Sequence, residues 1–186
     1  VDRIAIGLGT QGNTTIPGGS GKMFIDDIRL ERSAPAVNLL TNGGFEDGVL
    51  EPWYIYDNTT GDVNATTEIV TDDVVEGSSS LHIVVPNAGA NFWDVGLSQP
   101  GFVFEAGKSY TLSAFMRCNQ GTLDVNFKPE HSAGLYEGYG EQVITITDQW
   151  VEYSVTTPVI DANVDPANIT FHIGFAAGEI WVDNVR

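Results

Sequence analysis

The chain has little positive charge. Eight Lys and Arg stand against 25 Asp and Glu, a formal net charge of -17 over 186 residues. Four of those eight cations lie before residue 33, leaving only Lys108, Arg117, Lys128 and Arg186 for the remainder. Such a surface cannot neutralise phosphates, which excludes nucleic acid as a partner. The same deficit argues against anionic membranes and polyanionic sugars, while a neutral ligand or a divalent cation stays compatible. A single cysteine, Cys118, excludes an intramolecular disulfide and a cysteine-built metal site. At the end of "SYTLSAFMRC" it reads as a partly buried spectator thiol. No apolar run is long enough for a membrane-spanning helix, and no long stretch keeps a helical period.

What is plentiful is Gly together with Val, Ile, Thr, Tyr and Phe, set in short alternating runs between turn signals. That pattern predicts an all-β protein. "KMFIDDIRL" (22–30) and "EIWVDNVR" (179–186) are near copies of one strand, and "IAIGLG" (4–9) echoes "FHIGFA" (171–176). A repeated strand pair with one complete body between the copies suggests two consecutive related modules. Residues 1–30 would then be the last two strands of a preceding β-sandwich, 31–36 a linker and 37–186 a whole module. The rival reading keeps both copies in one fold, with the N-terminal pair as added edge strands. N-x-T occurs at Asn13, Asn58, Asn64 and Asn168, matches that Asn- and Thr-rich strands produce by chance.

From residue 37 the strand candidates are "VNLL", "PWYIY", "ATTEIVT", "SSLHIVV", "FWDVGLS", "FVFE", "SYTLSAFMR", "TLDVNFK", "QVITIT", "WVEYSVTT", "ITFHIGFA" and "EIWVDNV". A dozen short antiparallel strands without helices fit a two-sheet β-sandwich jelly roll. Alternation then sorts the faces. Ile169, Phe171, Ile173 and Phe175 share the core side, and Thr170, His172, Gly174 and Ala176 look away. Leu123, Val125 and Phe127 point in, with Thr122, Asp124 and Asn126 out. Trp53 and Ile55 oppose Tyr54 and Tyr56. Small residues beside a lone His suggest a groove. Trp53, Trp150 and Trp181 read as core or edge packing, and His82 and His131 carry no functional signal.

Glu46 follows a Gly-Gly-Phe turn, Glu76 opens another tight turn, and Asp183 sits on the last strand. If the first and last strands pair, these hard oxygens gather without a nearby cation, which is what Ca²⁺ takes. Ordinary solvent-facing acids in an acidic protein are the alternative.

"NLLTNGGFEDG", "VVEGSSSLHIVV", "ANFWDVGLS", "AGKSYTLSAFMR", "EQVITITDQWVEYSV", "FHIGFAAG" and "EIWVDNV" follow in order. In that order the segment 37–186 resembles family 4/9/22 carbohydrate-binding modules, nearest to the xylan- and β-glucan-binding members of family 4. The resemblance implies a jelly roll with a groove on its concave sheet and a structural calcium ion. The ion's ligands would be the Gly44 carbonyl, Glu46, Glu76, the Ser79 carbonyl and Asp183. The groove would use Asn91, Trp93 and Asp94, the Glu141–Gln142 pair, and His172, with Tyr54 and Tyr56 on the same side. Pyranose C–H faces stack on aromatic planes, and hydroxyls bond to Asn, Gln, His and carboxylates. Two departures stand out. Gly96 takes the place of an acid, and the loop 127–142 lacks the family's Arg while offering Tyr136 and Tyr139 as stacking platforms. Strict alternation would also bury Trp93 with Val95 and Leu97 unless a bulge re-aims it.

Jelly-roll glycosidases set two carboxylates across a cleft, often alternating on one strand. No such string occurs, nor a nucleophile elbow or a zinc motif. An enzyme would have to rely on Glu137, Glu141 and Asp94. The sequence therefore reads as a non-catalytic module, monomeric and extracellular. It would bind a neutral β-linked polysaccharide and target a covalently linked glycoside hydrolase. A structural or adhesive spacer is the third reading.

Overall fold

The computed structural model describes residues 37–119 and 121–186, and Val37–Arg186 forms one compact unit. The expected strands within 1–30 and the linker 31–36 lie outside the described residues. Among the described residues ten antiparallel strands form two five-stranded sheets, an all-β sandwich of jelly-roll type. In chain order they are β1 (Tyr54–Asp57), β2 (Thr66–Val70), β3 (Ser80–Val85), β4 (Val95–Phe104) and β5 (Thr111–Cys118). There follow β6 (Thr122–His131), β7 (Gln142–Thr147), β8 (Val151–Thr156), β9 (Val164–His172) and β10 (Gly178–Asp183). One sheet runs β1-β4-β9-β6-β7 and the other β2-β3-β10-β5-β8.

The period of two does the sorting. Leu81, Ile83 and Val85 of β3, Val125 and Phe127 of β6, and Ile180 and Val182 of β10 are all sealed between the sheets. Trp53 lies there too, 6.2 Å from the Phe45 ring and 6.1 Å from Phe171, which meets Phe127 edge-on at 4.7 Å. Cys118 is fully buried. On the outer face of the second sheet, Trp181 is sandwiched between neighbours in register. His82 stacks at 4.3 Å on one side and the Arg117 guanidinium lies 4.1 Å away on the other. Trp150 donates from Nε1 to Asp73 Oδ1 at 2.7 Å, at the sheet edge.

Three expectations fail for local reasons. "VNLL" forms no strand; the buried Gln99 side chain takes the place of a partner backbone, accepting from Thr41 N at 2.9 Å and donating to Thr41 O at 2.7 Å. "FWDVGLS" and "FVFE" are not two strands. Val95–Phe104 is continuous, with register shifts around Phe102, while Phe92–Asp94 winds into a 3-10 turn. Phe175 does not share the core with Ile173. The strand has ended at His172, and the Phe175 ring stacks on Phe92 at 4.8 Å instead.

The first and last segments meet. Val185 N donates to Gly43 O at 2.8 Å. A β-carbon on Gly43 would lie 2.0 Å from Val185 O, so only glycine allows this approach.

Candidate functional site

Directly opposed residues of neighbouring antiparallel strands point to the same face. On the outer face of the first sheet this produces rows running across the strands. One row is Tyr56, Gly96, His172, Asn126 and Val143. The next is Tyr54, Ser98, Thr170 and Lys128. The first row crosses four strand spacings, about 19 Å. Ser98, Thr170, His172, Asn126 and Glu130 in the middle are buried, whereas Tyr54 and Val143 at the two edges are exposed. The middle of the face is therefore a shielded polar floor between exposed borders.

These floor residues form one connected network. Thr170 Oγ1 donates to Glu130 Oε1 at 2.7 Å and meets Ser98 Oγ at 2.9 Å. Lys128 Nζ sits 3.2 Å from Glu130 and 4.0 Å from Glu141. Asn126 Nδ2 donates to Glu141 Oε2 at 3.1 Å and lies 3.3 Å from His172 Nδ1. Alternation in "TLDVNF" already turned Asn126 outward. Lys128 and Glu130 continue that alternation, but nothing in the string marks them as a paired, buried couple. Alternation likewise turned Thr170 outward beside His172, whereas Ser98 carried no sequence signal.

Gly96, where an acid was expected, has a steric role. A β-carbon there would fall 2.4 Å from Tyr56 Oη and 2.5 Å from Cζ, so the phenol lies across β4 only because position 96 is bare. Burial pushes the Tyr56 hydroxyl well above its usual range, and Glu130, Tyr54 and Asp94 act in the same direction. The hydroxyl stays protonated and can donate. The Tyr54 and Tyr56 rings are 6.4 Å apart.

Trp93 escapes the core, though not through a bulge. Val95 and Leu97 are buried as the alternation requires, but the 3-10 turn rotates residue 93 outward, leaving it 50% exposed. Asn91 N donates to Asp94 Oδ2 at 2.8 Å, and Asn58 N to Asp94 O at 2.7 Å. Gly174 N donates to Phe92 O at 3.0 Å, which pins the turn against the end of β9. The Phe92 ring bridges Trp93 (4.7 Å) and His172 (5.7 Å). Asp94 thus closes the turn that presents Trp93, and Asn91 is that turn's exposed cap.

The other candidates disperse. Tyr136 is 55% exposed at the tip of the β6–β7 loop, in the left-handed region at φ 54°. That loop follows His131, which pairs with Ala167, whereas Trp93 adjoins the His172 end of β9. Five residues of strand, ~17 Å, separate the two ends. Tyr136 and Trp93 therefore do not form one platform. Tyr139 packs against the core, with its ring edge-on to Phe104 at 6.1 Å. Gln142 pairs with Phe127, so its register places it on the opposite face from His172.

Burial, and then the positive charge of Lys128, lower the His172 imidazole to about 4, against an opposing pull from Glu141. A base depressed when folded is neutral in the fold, and its contribution to stability is complete above the ordinary histidine value. It is lost as pH falls from there toward about 4. Unfolding free energy should drop by about 3 kcal/mol across that window. His172→Gln should flatten the drop in denaturant titrations; an unchanged pH profile would refute the assignment.

Around the proposed ion ligands, Glu46 Oε1 accepts from Ser78 N at 2.9 Å and Ser79 N at 3.0 Å, and Oε2 from Ser78 Oγ at 2.7 Å. These bonds, the Ser78 hydroxyl foremost, hold Glu46 below the usual carboxylate range. Asp183 is completely shielded. Its Oδ2 accepts from Val75 N at 2.9 Å and Glu76 N at 3.0 Å. Burial raises it, and the like charge of Glu46 adds to that. The Asn184 amide donates to Glu76. Gly44 stands between the acids; a β-carbon there would be 3.6 Å from Glu46 Cγ and 4.0 Å from Asp183 Oδ1. Among the described residues no three His, Cys, Asp or Glu side chains form a metal-holding group. Any ion here would draw much of its shell from backbone carbonyls.

A family model described as "Carbohydrate binding domain" (CBM_4_9) matches residues 37–179. The chain belongs to this family of carbohydrate-binding domains. Its members are binding modules, not catalytic ones. No curated protein matches the sequence. Among solved structures, a CBM4 module superposes with a TM-score of 0.62 at 20% identity, covering 78% of this chain and 96% of its own. The CBM22-1 xylan-binding domain of Paenibacillus barcinonensis Xyn10C gives 0.57 at 14% identity, covering 77% and 88%. TmCBM61, solved with β-1,4-galactotriose, gives 0.55 at 15% identity, covering 81% and 97%. At these identities the likeness is one of fold.

Proposed function

We propose that this carbohydrate-binding domain takes a neutral β-linked polysaccharide, of xylan or β-1,4- or β-1,3/1,4-glucan type, across the rows of the first sheet. The observation that carries the reading is Trp93. It is an indole held out into solvent by a dedicated turn, beside a shielded polar row of His172, Asn126 and Tyr56. Stacking of a sugar face on the indole and hydrogen bonds to the row are the two interactions a pyranose needs. Charge supports a neutral chain, since Lys128, the cation of the two rows among the described residues, is already flanked by Glu130 and Glu141. The domain would act outside the cell as a monomer, raising the local concentration of a covalently linked glycoside hydrolase at its substrate.

Calcium completes the proposal, held by the Gly44 and Ser79 carbonyls with Glu46, Glu76 and Asp183. The fit rests on Asp183, a sealed carboxylate that faces a second acid. A hard cation would offset both its desolvation and that repulsion, and it would clasp the first turn of the module to its last strand.

Affinity electrophoresis in gels containing xylan, mixed-linkage glucan, laminarin, glucomannan or galactan tests the binding. Retardation is expected with at least one β-glycan. Unretarded migration in all of them would leave only a spacer.

A further inference from the structure

We propose that Glu141 is a positioning residue: by holding the Asn126 amide, it fixes the side-chain proton of His172 on Nε2. The proposal rests on the glycan-binding reading above, but the place of the proton can be measured without any glycan.

The three residues come from different strands or loops and meet only in the fold. Asn126 is opposite His172 in the β6–β9 ladder, and Glu141 immediately precedes β7, which pairs with the other side of β6. Asn126 is 2% exposed and His172 5% exposed, so little solvent competes for the contact between them. Glu141 Oε2 is 3.1 Å from Asn126 Nδ2, and a carboxylate can only accept. The amide must therefore turn its NH₂ toward Glu141. The second hydrogen of that NH₂ then faces His172 Nδ1 at 3.3 Å, which makes Nδ1 an acceptor. A neutral imidazole carries one proton, so it resides on Nε2.

The opposite amide orientation would set a carbonyl oxygen against a carboxylate and would need Nδ1–H. Lys128 Nζ lies 4.0 Å from the same Glu141 carboxylate. The arrangement leaves His172 with an Nε2–H donor and Asn126 with an Oδ1 acceptor, on opposed residues of one face. One donor and one acceptor can serve two hydroxyls of a sugar. A rim carboxylate thus determines which hydroxyl pattern the buried row can meet, without itself having to touch the ligand.

The test uses the full chain with ¹⁵N-labelled histidine and two-bond ¹H–¹⁵N correlation near neutral pH. His172→Gln identifies the relevant signals among the three histidines. The native protein is expected to show a single Nε2–H tautomer. Glu141→Ala should yield a mixture with Nδ1–H. Glu141→Gln should retain most of the Nε2–H form, because its amide oxygen can still accept. Asn126→Asp, which sets an acceptor-only group against Nδ1, should move the proton to Nδ1. Glu141 is 46% exposed on its side chain, so its replacement should leave the fold intact.

A native spectrum of Nδ1–H or of mixed tautomers would overturn the proposal, as would an unchanged tautomer in Glu141→Ala. With any glycan that retards the native protein, Glu141→Ala should bind roughly tenfold more weakly. A shifted tautomer with full affinity would refute the functional half. If no glycan retards the native protein, it is the glycan reading that fails, and the spectra still decide where the proton is.

Discussion

Trp93→Ala should bind its glycan about 30-fold more weakly, or fail to show retardation at all, while unfolding almost as the native protein does. The binding loss follows from stacking, which is worth about 1–3 kcal/mol per ring on an exposed aromatic plane. The intact stability follows from how the turn is built. Its shape is held by Asn91 N to Asp94 Oδ2, Asn58 N to Asp94 O and Gly174 N to Phe92 O, none of which involves the indole. The edge contact with Phe92 disappears with the indole, a matter of about 1 kcal/mol. Trp93→Phe should keep much of the affinity. Isothermal titration with the glycan that retards the protein most, alongside thermal melts, separates the two effects. Native affinity in Trp93→Ala would remove the central contact from the binding model.

The second large effect is on stability. Saturating calcium should stabilise the domain by about 3 kcal/mol over the EDTA-treated form when the ion is near a hundred times its dissociation constant. For a domain of this size that corresponds to a rise of roughly 5–10 °C in melting temperature. The gain has a local origin. Among the described residues Asp183 has no ion-pair partner; it is sealed from solvent and raised by burial and by Glu46. Asp183→Asn removes the buried charge, so it should melt at the same temperature in calcium and in EDTA. If the native protein itself melts identically in both, the clasp at Gly44, Glu46, Glu76, Ser79 and Asp183 is not an ion site.

Much of the fold was legible because each strand buries one face, and a period of two survives wherever a ladder is regular. "TLDVNF", "PWYIY" and the first part of "ITFHIGFA" sort their side chains as the alternation says. The failures lie where a local device replaces the ladder. Gln99 pairs with the backbone of Thr41 through its side chain, a long-range match across 58 positions that no local pattern encodes. Trp93 depends on Gly174 being small enough for the Phe92 carbonyl to approach, so its direction is decided on another strand. Phe175 is lost to the core because the strand ends before it.

The site was legible in part. His172, Asn91, Trp93 and Asp94 come together around one turn and the end of β9, and Glu141 reaches the same row through Asn126. Tyr136, Tyr139 and Gln142 are close to Glu141 in sequence but fall on a loop tip, the core and the opposite face. Neighbourhood along the chain could not show this, because a shift of one residue in a strand changes its face. Gly96 looked like a missing acid and is instead the space into which Tyr56 lies down.

The first row passes from β1 at one border of its sheet to β7 at the other, so no single strand end bounds it. On the proposed binding path a ligand would continue past both borders, and the domain would then have no need of a chain terminus. Every interior stretch of a long polymer becomes an equivalent landing place. Measured per polymer molecule, association should grow in proportion to degree of polymerisation, whereas measured per sugar ring it should level off once the row is filled.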